Sequence, residues 1–234
     1  MIVYGKQIVL YVLEKHQDLI EEIFLSKEID SKLFSRFAKL NKKIHKVDNQ
    51  KAQALAKGGN HQGLILKLSD YVYTPLKDIK NMNFIVVLDG LTDVGNIGAI
   101  ARTAYSLGVD GMIAADIKTI SNSGTIRTSA GALLDLPFAI HPRSVDLASE
   151  LIDAGFTLIG ATMDGVDLKK YGKIEKTDKV AIILGNEGAG ISPKVAKKLD
   201  LKVSIKMEHE FDSLNVSSAA AILIYNLKDK KENI

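Results

Sequence analysis

Phe84-Ile85-Val86-Val87-Leu88-Asp89-Gly90-Leu91-Thr92-Asp93-Val94-Gly95-Asn96-Ile97-Gly98 carries an apolar run into a polar, glycine-punctuated turn and then into a helical pattern. A short run that is apolar on both faces suits a strand in a sheet covered by helices on both sides. Runs of the same kind recur at Met112–Ala115, Phe156–Ala161, Val180–Gly185 and Leu201–Met207. Helical spacing fits Asn96–Leu107, Ser123–Leu133, Val145–Ala154, Pro193–Lys198 and Val216–Leu227. The pattern predicts a doubly wound α/β domain with a parallel sheet over residues 81–234, with Lys228–Ile234 as a frayed tail.

Upstream, the elements are shorter. Helices are expected at Gln7–Lys15, at Ser31–Leu40 behind a Ser31 cap, and at Asn49–Lys57. Strands are expected at Glu22–Leu25, Ile44–Val47 and Leu64–Leu68. These make a small α/β domain over residues 1–72. The polar stretch Ser69–Asn83, which contains Pro75, gives a linker at residues 73–80.

The net charge of +3 is unevenly spread. Residues 1–80 hold 14 Lys and Arg against 9 Asp and Glu, which leaves 17 against 19 for the rest. Lys32, Arg36, Lys39, Lys42, Lys43, Lys46, Lys51 and Lys57 face one acid, Asp48, between residues 32 and 57. Such a cluster can neutralise phosphates and release their counterions. Charge alone equally allows a solvated lysine face. No cysteine is present, which excludes disulfides and thiolate metal sites, and the five histidines lack ligand spacing, so no metal is expected. There is no signal pattern or long apolar span, so a cytoplasmic protein without a membrane partner is expected.

Three junctions follow apolar strands, where open α/β sheets bind ligands. The first, Leu88–Gly98, is not a P-loop, because Asn96 and Ile97 follow Gly95 where Lys and Ser or Thr are required. Nor does it match GxGxxG. In its helix Ile97, Ile100, Ala101, Ala104 and Leu107 form one stripe, and Arg102 points away from it. The second junction, Leu184–Pro193, has three glycines that permit close backbone approach to a ligand. In the third, Ser213–Ile222, Ser213 and Asn215 offer capping oxygens to an alanine-rich helix. Singly, each reads as readily as a surface arginine, an ordinary turn or a capped core helix.

In this order, LDGLTDVGNIGAIAR (88–102), ILGNEGAGIS (183–192) and IKM (205–207) with SLNVSSAAAILIY (213–225) resemble the signature motifs of the SpoU (TrmH/RlmB-like) family. That family is the RNA 2′-O-ribose methyltransferase branch of the SPOUT superfamily, and the likeness spans 84–227. VYG at 3–5 and GGNHQG at 58–63 look like the ribosomal-protein-like RNA-binding domain of RlmB-type members. The bridge Glu208-His209-Glu210-Phe211-Asp212 is more acidic than the Gly/Ser-rich loop of the family pattern.

The resemblance implies a trefoil-knotted C-terminal domain, a homodimer with its active site at or near the subunit interface, and S-adenosyl-L-methionine as cofactor. Thr162, Gly185, Asn186, Gly188, Ile205, Met207, Leu214, Asn215 and Ser217 would hold that cofactor, and a side chain at Gly185 would press on it. Arg102 would be the base or the orienting group. Since a guanidinium is always protonated, either an RNA phosphate shares in the proton transfer or Arg102 only positions the ribose. Asn96, Glu187, Ser213 and Asn215 would orient Arg102 and the substrate. Lys39, Lys42, Lys43, His61 and Gln62 would bind RNA. The implied reaction is 2′-O-methylation of a guanosine in 23S ribosomal RNA, with a TrmH-like tRNA guanosine or a uridine or adenosine target as relatives of it. Outside that class stand a non-catalytic RNA-binding ribosome-assembly protein and a nucleotide-dependent oxidoreductase.

Overall fold

The computed structural model describes residues 1–170, 179–209 and 213–232. In chain order the first elements are β1 (Ile2–Tyr4), α1 (Lys6–Lys15), β2 (Ile20–Leu25), α2 (Ser31–Ala38), β3 (Lys43–Lys46), α3 (Asn49–Leu55), β4 (Leu64–Leu68) and α4 (Leu76–Ile79). Then come β5 (Phe84–Asp89), α5 (Val94–Ser106), β6 (Gly111–Ala115), α6 (Asn122–Thr128), β7 (Phe138–His141) and α7 (Ser144–Asp153). Last are β8 (Phe156–Asp167), β9 (Lys179–Gly185), α8 (Pro193–Ala196), β10 (Leu201–Ser204) and α9 (Val216–Glu232). The chain forms two units: Met1–Val72 with Ser121–Gly131, and Tyr73–Ile120 with Ala132–Ile234. Among the described residues, no helix is long and apolar enough to cross a membrane.

The first unit holds a four-stranded sheet in the order β1-β4-β2-β3, with β2 and β3 parallel and the other pairs antiparallel. Strand β1 is too short for alternation to betray it in the sequence. Helix α1 opens behind Gly5 (φ +100) without a cap from that residue; the Gln62 side chain caps it instead, accepting from Lys6 N at 2.8 Å. Helix α2 is capped by Asp30, whose carboxylate accepts from Leu33 N at 2.8 Å, so the cap is one residue earlier than Ser31. The Arg127 guanidinium of α6 lies 5.0 Å from the Tyr4 ring centre, and a Cβ at Gly59 would fall 2.0 Å from Tyr4 Oη. The VYG and GGN segments therefore meet around one aromatic ring.

Helix α6 ends at Thr128, five residues short of the expected Leu133, because Ala130 (φ +54) and Gly131 (φ +98) turn the chain before a separate 3₁₀ turn, Ala132–Leu134. A Cβ at Gly131 would lie 2.4 Å from the Tyr11 ring, so this position is closed to a side chain.

The second unit is a six-stranded, wholly parallel sheet in the order β10-β8-β9-β5-β6-β7. Every residue of β5 and β6 is buried. Ile85, Val87, Ile113, Ala139, Leu158, Ala181 and Ile183 form one core with α4, α7 and α8. The alternate residues Val86, Leu88, Met112, Ala114, Ile182 and Leu184 are also buried, on the face where α5 and α9 pack. A parallel sheet covered on both faces is what the unbroken apolar runs predict.

Strand β7 is absent from the sequence reading, and residues 73–80, read as a linker, contain α4 with Ile79 fully buried. Strand β10 stops at Ser204, short of Met207, while α9 continues to Glu232 through part of the tail expected to fray. Asn233, Ile234 and the bridge residues Glu210, Phe211 and Asp212 lie outside the described residues.

Candidate active site

Along β8 the chain advances from Gly160 to Val166 while its partner β10 advances only from Lys202 to Val203. The surplus, Ala161–Gly165, leaves the ladder and becomes one wall of a cleft of about 1170 Å³. Leu184–Ile191 at the end of β9 and beyond it, Lys202–Met207 from β10 onward, and Ser213–Val216 at the start of α9 form the other walls. Thr162, Gly185, Asn186, Gly188, Ile205, Met207, Leu214 and Asn215 all line it. Ser217 does not, but it donates from both N (2.9 Å) and Oγ (2.6 Å) to Asn215 Oδ1 and so fixes that amide.

Polar side chains from the three junctions meet at this cleft. Asn96 Nδ2 donates to Glu187 Oε1 at 2.7 Å, and Asn215 Nδ2 donates to both Glu187 Oε1 and Asn96 Oδ1 at 3.1 Å. Each residue stands at the start of a helix or just beyond a strand. Asn96 is placed by the Asp93 cap of α5, which accepts from Asn96 N at 2.7 Å. The Glu187 carboxylate thus takes both amide donors on one oxygen.

The glycine-rich loop closes on itself through paired backbone bonds between Asn186 and Gly190. It is tied to the end of β5 by Asn186 Nδ2 to Gly90 O (3.1 Å) and by Ser192 N to Asp89 Oδ2 (2.7 Å). A Cβ at Gly185 would lie 2.1 Å from Gly190 C and 2.2 Å from Ile191 N. The glycine is required by the loop's own backbone. At Gly188 the nearest atom to a Cβ is Asn186 Oδ1 at 3.7 Å, so this position opens toward the cleft.

Lys202 Nζ donates to Asp164 Oδ2 at 3.0 Å, and this ammonium holds the Asp164 carboxyl below its ordinary range. Thr162 Oγ1 lies near enough to Asp164 to favour its charge, yet it is buried and makes no hydrogen bond of good geometry among the described residues. Neither Asp164 nor Lys202 carries a sequence signal, because only the excursion of β8 brings them together. Asp89 sits in the first motif, where its strand-end position was the available signal.

The remaining expected residues stand apart from this polar network. Arg102 is exposed on α5, outside the cleft lining, and Ser213 lines the cleft without a hydrogen bond among the described residues. Lys39, Lys42 and Lys43 are exposed. His61 is 3% exposed, and its Nδ1 accepts from Gly63 N at 3.0 Å, which makes the ring part of the loop's interior. The Gln62 side-chain oxygen Oε1 accepts from Lys6 N.

Residues 83–225 match the SpoU rRNA Methylase family, and residues 2–74 match the RNA 2′-O ribose methyltransferase substrate binding domain. A Staphylococcus aureus protein named for the TrmH family of tRNA/rRNA methyltransferases is 30% identical over 199 residues, 82% of this chain and 79% of that protein. An uncharacterized tRNA/rRNA methyltransferase of Borreliella burgdorferi is 30% identical over 221 residues, 88% of this chain and 96% of its own. Among solved structures, the AdoMet-bound rRNA methyltransferase of Sinorhizobium meliloti superposes with a TM-score of 0.79 at 23% identity, covering 97% of this chain and 86% of that one. The SpoU methyltransferase AviRb of Streptomyces viridochromogenes, in complex with AdoMet, gives 0.79 at 22% identity, covering 100% and 91%. With both parts of the chain matched in order and the three junctions converging on one cleft, the chain belongs to the SpoU rRNA methylase family of RNA 2′-O-ribose methyltransferases.

Proposed function

We propose that this chain methylates a ribose 2′-hydroxyl in structured RNA, with S-adenosyl-L-methionine as donor and a guanosine of 23S ribosomal RNA as target. The observation that carries this reading is the Asn96–Glu187–Asn215 network, which gathers three separate junctions at the cleft. The residues present fit the donor. Thr162 Oγ1 is a buried hydroxyl in the wall that makes no hydrogen bond of good geometry among the described residues, the Asn186–Gly190 turn brings backbone to the surface, and Ile205, Met207 and Leu214 offer apolar area to a flat ring. Together with Gly185, Asn186, Gly188 and Asn215, and with Ser217 bracing Asn215, these residues would hold it.

When bound, AdoMet supplies a methyl group already activated by the sulfonium charge. Alignment and proton removal fall to the protein and the RNA. Arg102 presents its planar fork to the ribose and its phosphate, and the 2′-hydroxyl proton leaves to an RNA phosphate oxygen. Asn96, Glu187, Ser213 and Asn215 orient these groups.

A homodimer belongs to the same reading. Arg102 stands outside the cleft of its own chain, while α5 and its neighbour α9 leave Tyr105, Ile222 and Tyr225 exposed. Pairing these helices with a second copy would bury that surface and bring Arg102 of one protomer to the other's cleft. The trefoil knot of the C-terminal path and a cytoplasmic location are further parts of this proposal. For RNA docking, the support is electrostatic. Lys32, Arg36, Lys39, Lys42, Lys43, Lys46, Lys51 and Lys57 are all exposed, and none forms an ion pair among the described residues.

The test is to incubate the purified protein and AdoMet with RNA from a strain lacking it and to map the methylated nucleotide. The expected product is one 2′-O-methylguanosine in 23S RNA. Methylation confined to tRNA would move the assignment to a tRNA target. Protein that binds RNA but neither AdoMet nor methyl groups would leave the ribosome-assembly reading.

A further inference from the structure

We propose that Asp89 is a positioning residue for cofactor binding, holding the glycine-rich loop in the shape that AdoMet requires. The inference rests on the AdoMet reading given above. Asp89 ends β5 in register with Gly185, the end of β9. Between these strands the sheet order changes direction, with β6 and β7 on one side and β9, β8 and β10 on the other. Loops beyond the carboxyl ends of strands at such a switch point are where open parallel sheets bind ligands.

Asp89 is 3% exposed and does not line the cleft. Its Oδ2 accepts from Ser192 N at 2.7 Å, and no cationic side chain pairs with it among the described residues. A buried carboxylate without a counter-ion is costly. Here that cost secures one backbone amide at the far end of the loop, through a charge-assisted bond about twice as strong as a neutral one. The near end is held by Asn186 Nδ2 on Gly90 O at 3.1 Å. Between the two ties, Asn186 and Gly190 bond to each other in both directions. The loop is therefore stapled at both ends to consecutive residues, Asp89 and Gly90. Glu187 and Gly188, inside the staple, face the cleft.

The two ends of the Asp89 bond can be removed separately. Asp89→Ala deletes the acceptor, and Asp89→Asn keeps an oxygen but loses the charge. Ser192 has φ −57, which proline adopts, so Ser192→Pro deletes the donor and leaves Asp89 intact. Full-length variants are titrated with AdoMet by calorimetry, with thermal unfolding and steady-state kinetics alongside. Asp89→Ala and Ser192→Pro should each raise the Kd and KM for AdoMet by at least roughly tenfold, with KM for RNA unchanged and Asp89→Asn in between. A carboxylate that only supports the fold would lower the unfolding temperature and leave the AdoMet constants alone. A folded Asp89→Ala with the AdoMet Kd of the unsubstituted protein overturns the proposal, and if that variant does not fold, unchanged affinity in Ser192→Pro does so. An unsubstituted protein that fails to bind AdoMet overturns the cofactor reading as well, a result distinct from loss confined to the variants.

Discussion

A Cβ at Gly185 would meet three backbone atoms that cannot swing aside, so Gly185→Val should disrupt the loop itself and lower the unfolding temperature. Gly188→Val is the cleaner probe of the pocket, because its side chain has open space and no positive φ to overcome. It should keep the unfolding temperature of the unsubstituted protein while weakening AdoMet binding by about tenfold or more, as expected for loss of roughly 1.4 kcal/mol. Unchanged affinity in a calorimetric titration would remove Gly188 from the binding surface. Arg102→Ala should fold and bind AdoMet yet lose methyl transfer by about 10²–10⁴-fold, and Arg102→Lys should rescue poorly because an ammonium lacks the planar fork. Near-normal single-turnover rates would return Arg102 to ordinary exposed surface.

Among the elements, the cap of α2 offers a direct comparison. Asp30→Ala removes the acceptor used by Leu33 N and should cost about 1 kcal/mol in urea unfolding. Ser31→Ala should cost almost nothing, and equal losses would contradict the assigned cap. The contact between α4 and α7 should depend on pH. Lys80, at the end of α4, donates to the Glu150 carboxylate of α7 and, with His141 adding a smaller effect, holds that carboxyl below its usual range. A carboxyl lowered in the folded state stabilises fully above its unfolded value, about 4.3 for Glu, and loses that contribution as pH falls through the folded value. Glu150→Gln should therefore be less stable at neutral pH, and its deficit should shrink below pH about 4. A deficit independent of pH would assign the loss to packing.

At the scale of the whole molecule, the chain enters the first unit twice, since Ser121–Gly131 groups with Met1–Val72. Ile126 and Thr125 in that segment are fully buried, and Gly131 closes against Tyr11. A chain beginning at Tyr73 should therefore retain AdoMet binding while amides 121–131 lose hydrogen-exchange protection; full protection there would show that the segment needs no cover from residues 1–72. RNA affinity of that chain should collapse. In the full-length protein, charge reversal at Lys39, Lys42 and Lys43 should flatten the dependence of RNA binding on salt by nearly one unit per lost phosphate contact. An unchanged slope would mean that RNA docks on another surface.

The sequence by itself determined the parallel sheet, five of its six strands in their order along the chain and the three junctions, because unbroken apolar runs and glycine-rich turns are local signals. The uneven charge was legible for the same reason. Tertiary structure alone decided that Gln62 caps α1, that His61 is buried, that α6 belongs to the first unit, and that Asp164 faces Lys202. It also decided that Asp89 reaches Ser192, 103 positions along the chain. Such pairings depend on which segments the folded backbone brings within hydrogen-bonding distance, and no local pattern of residue types encodes that distance.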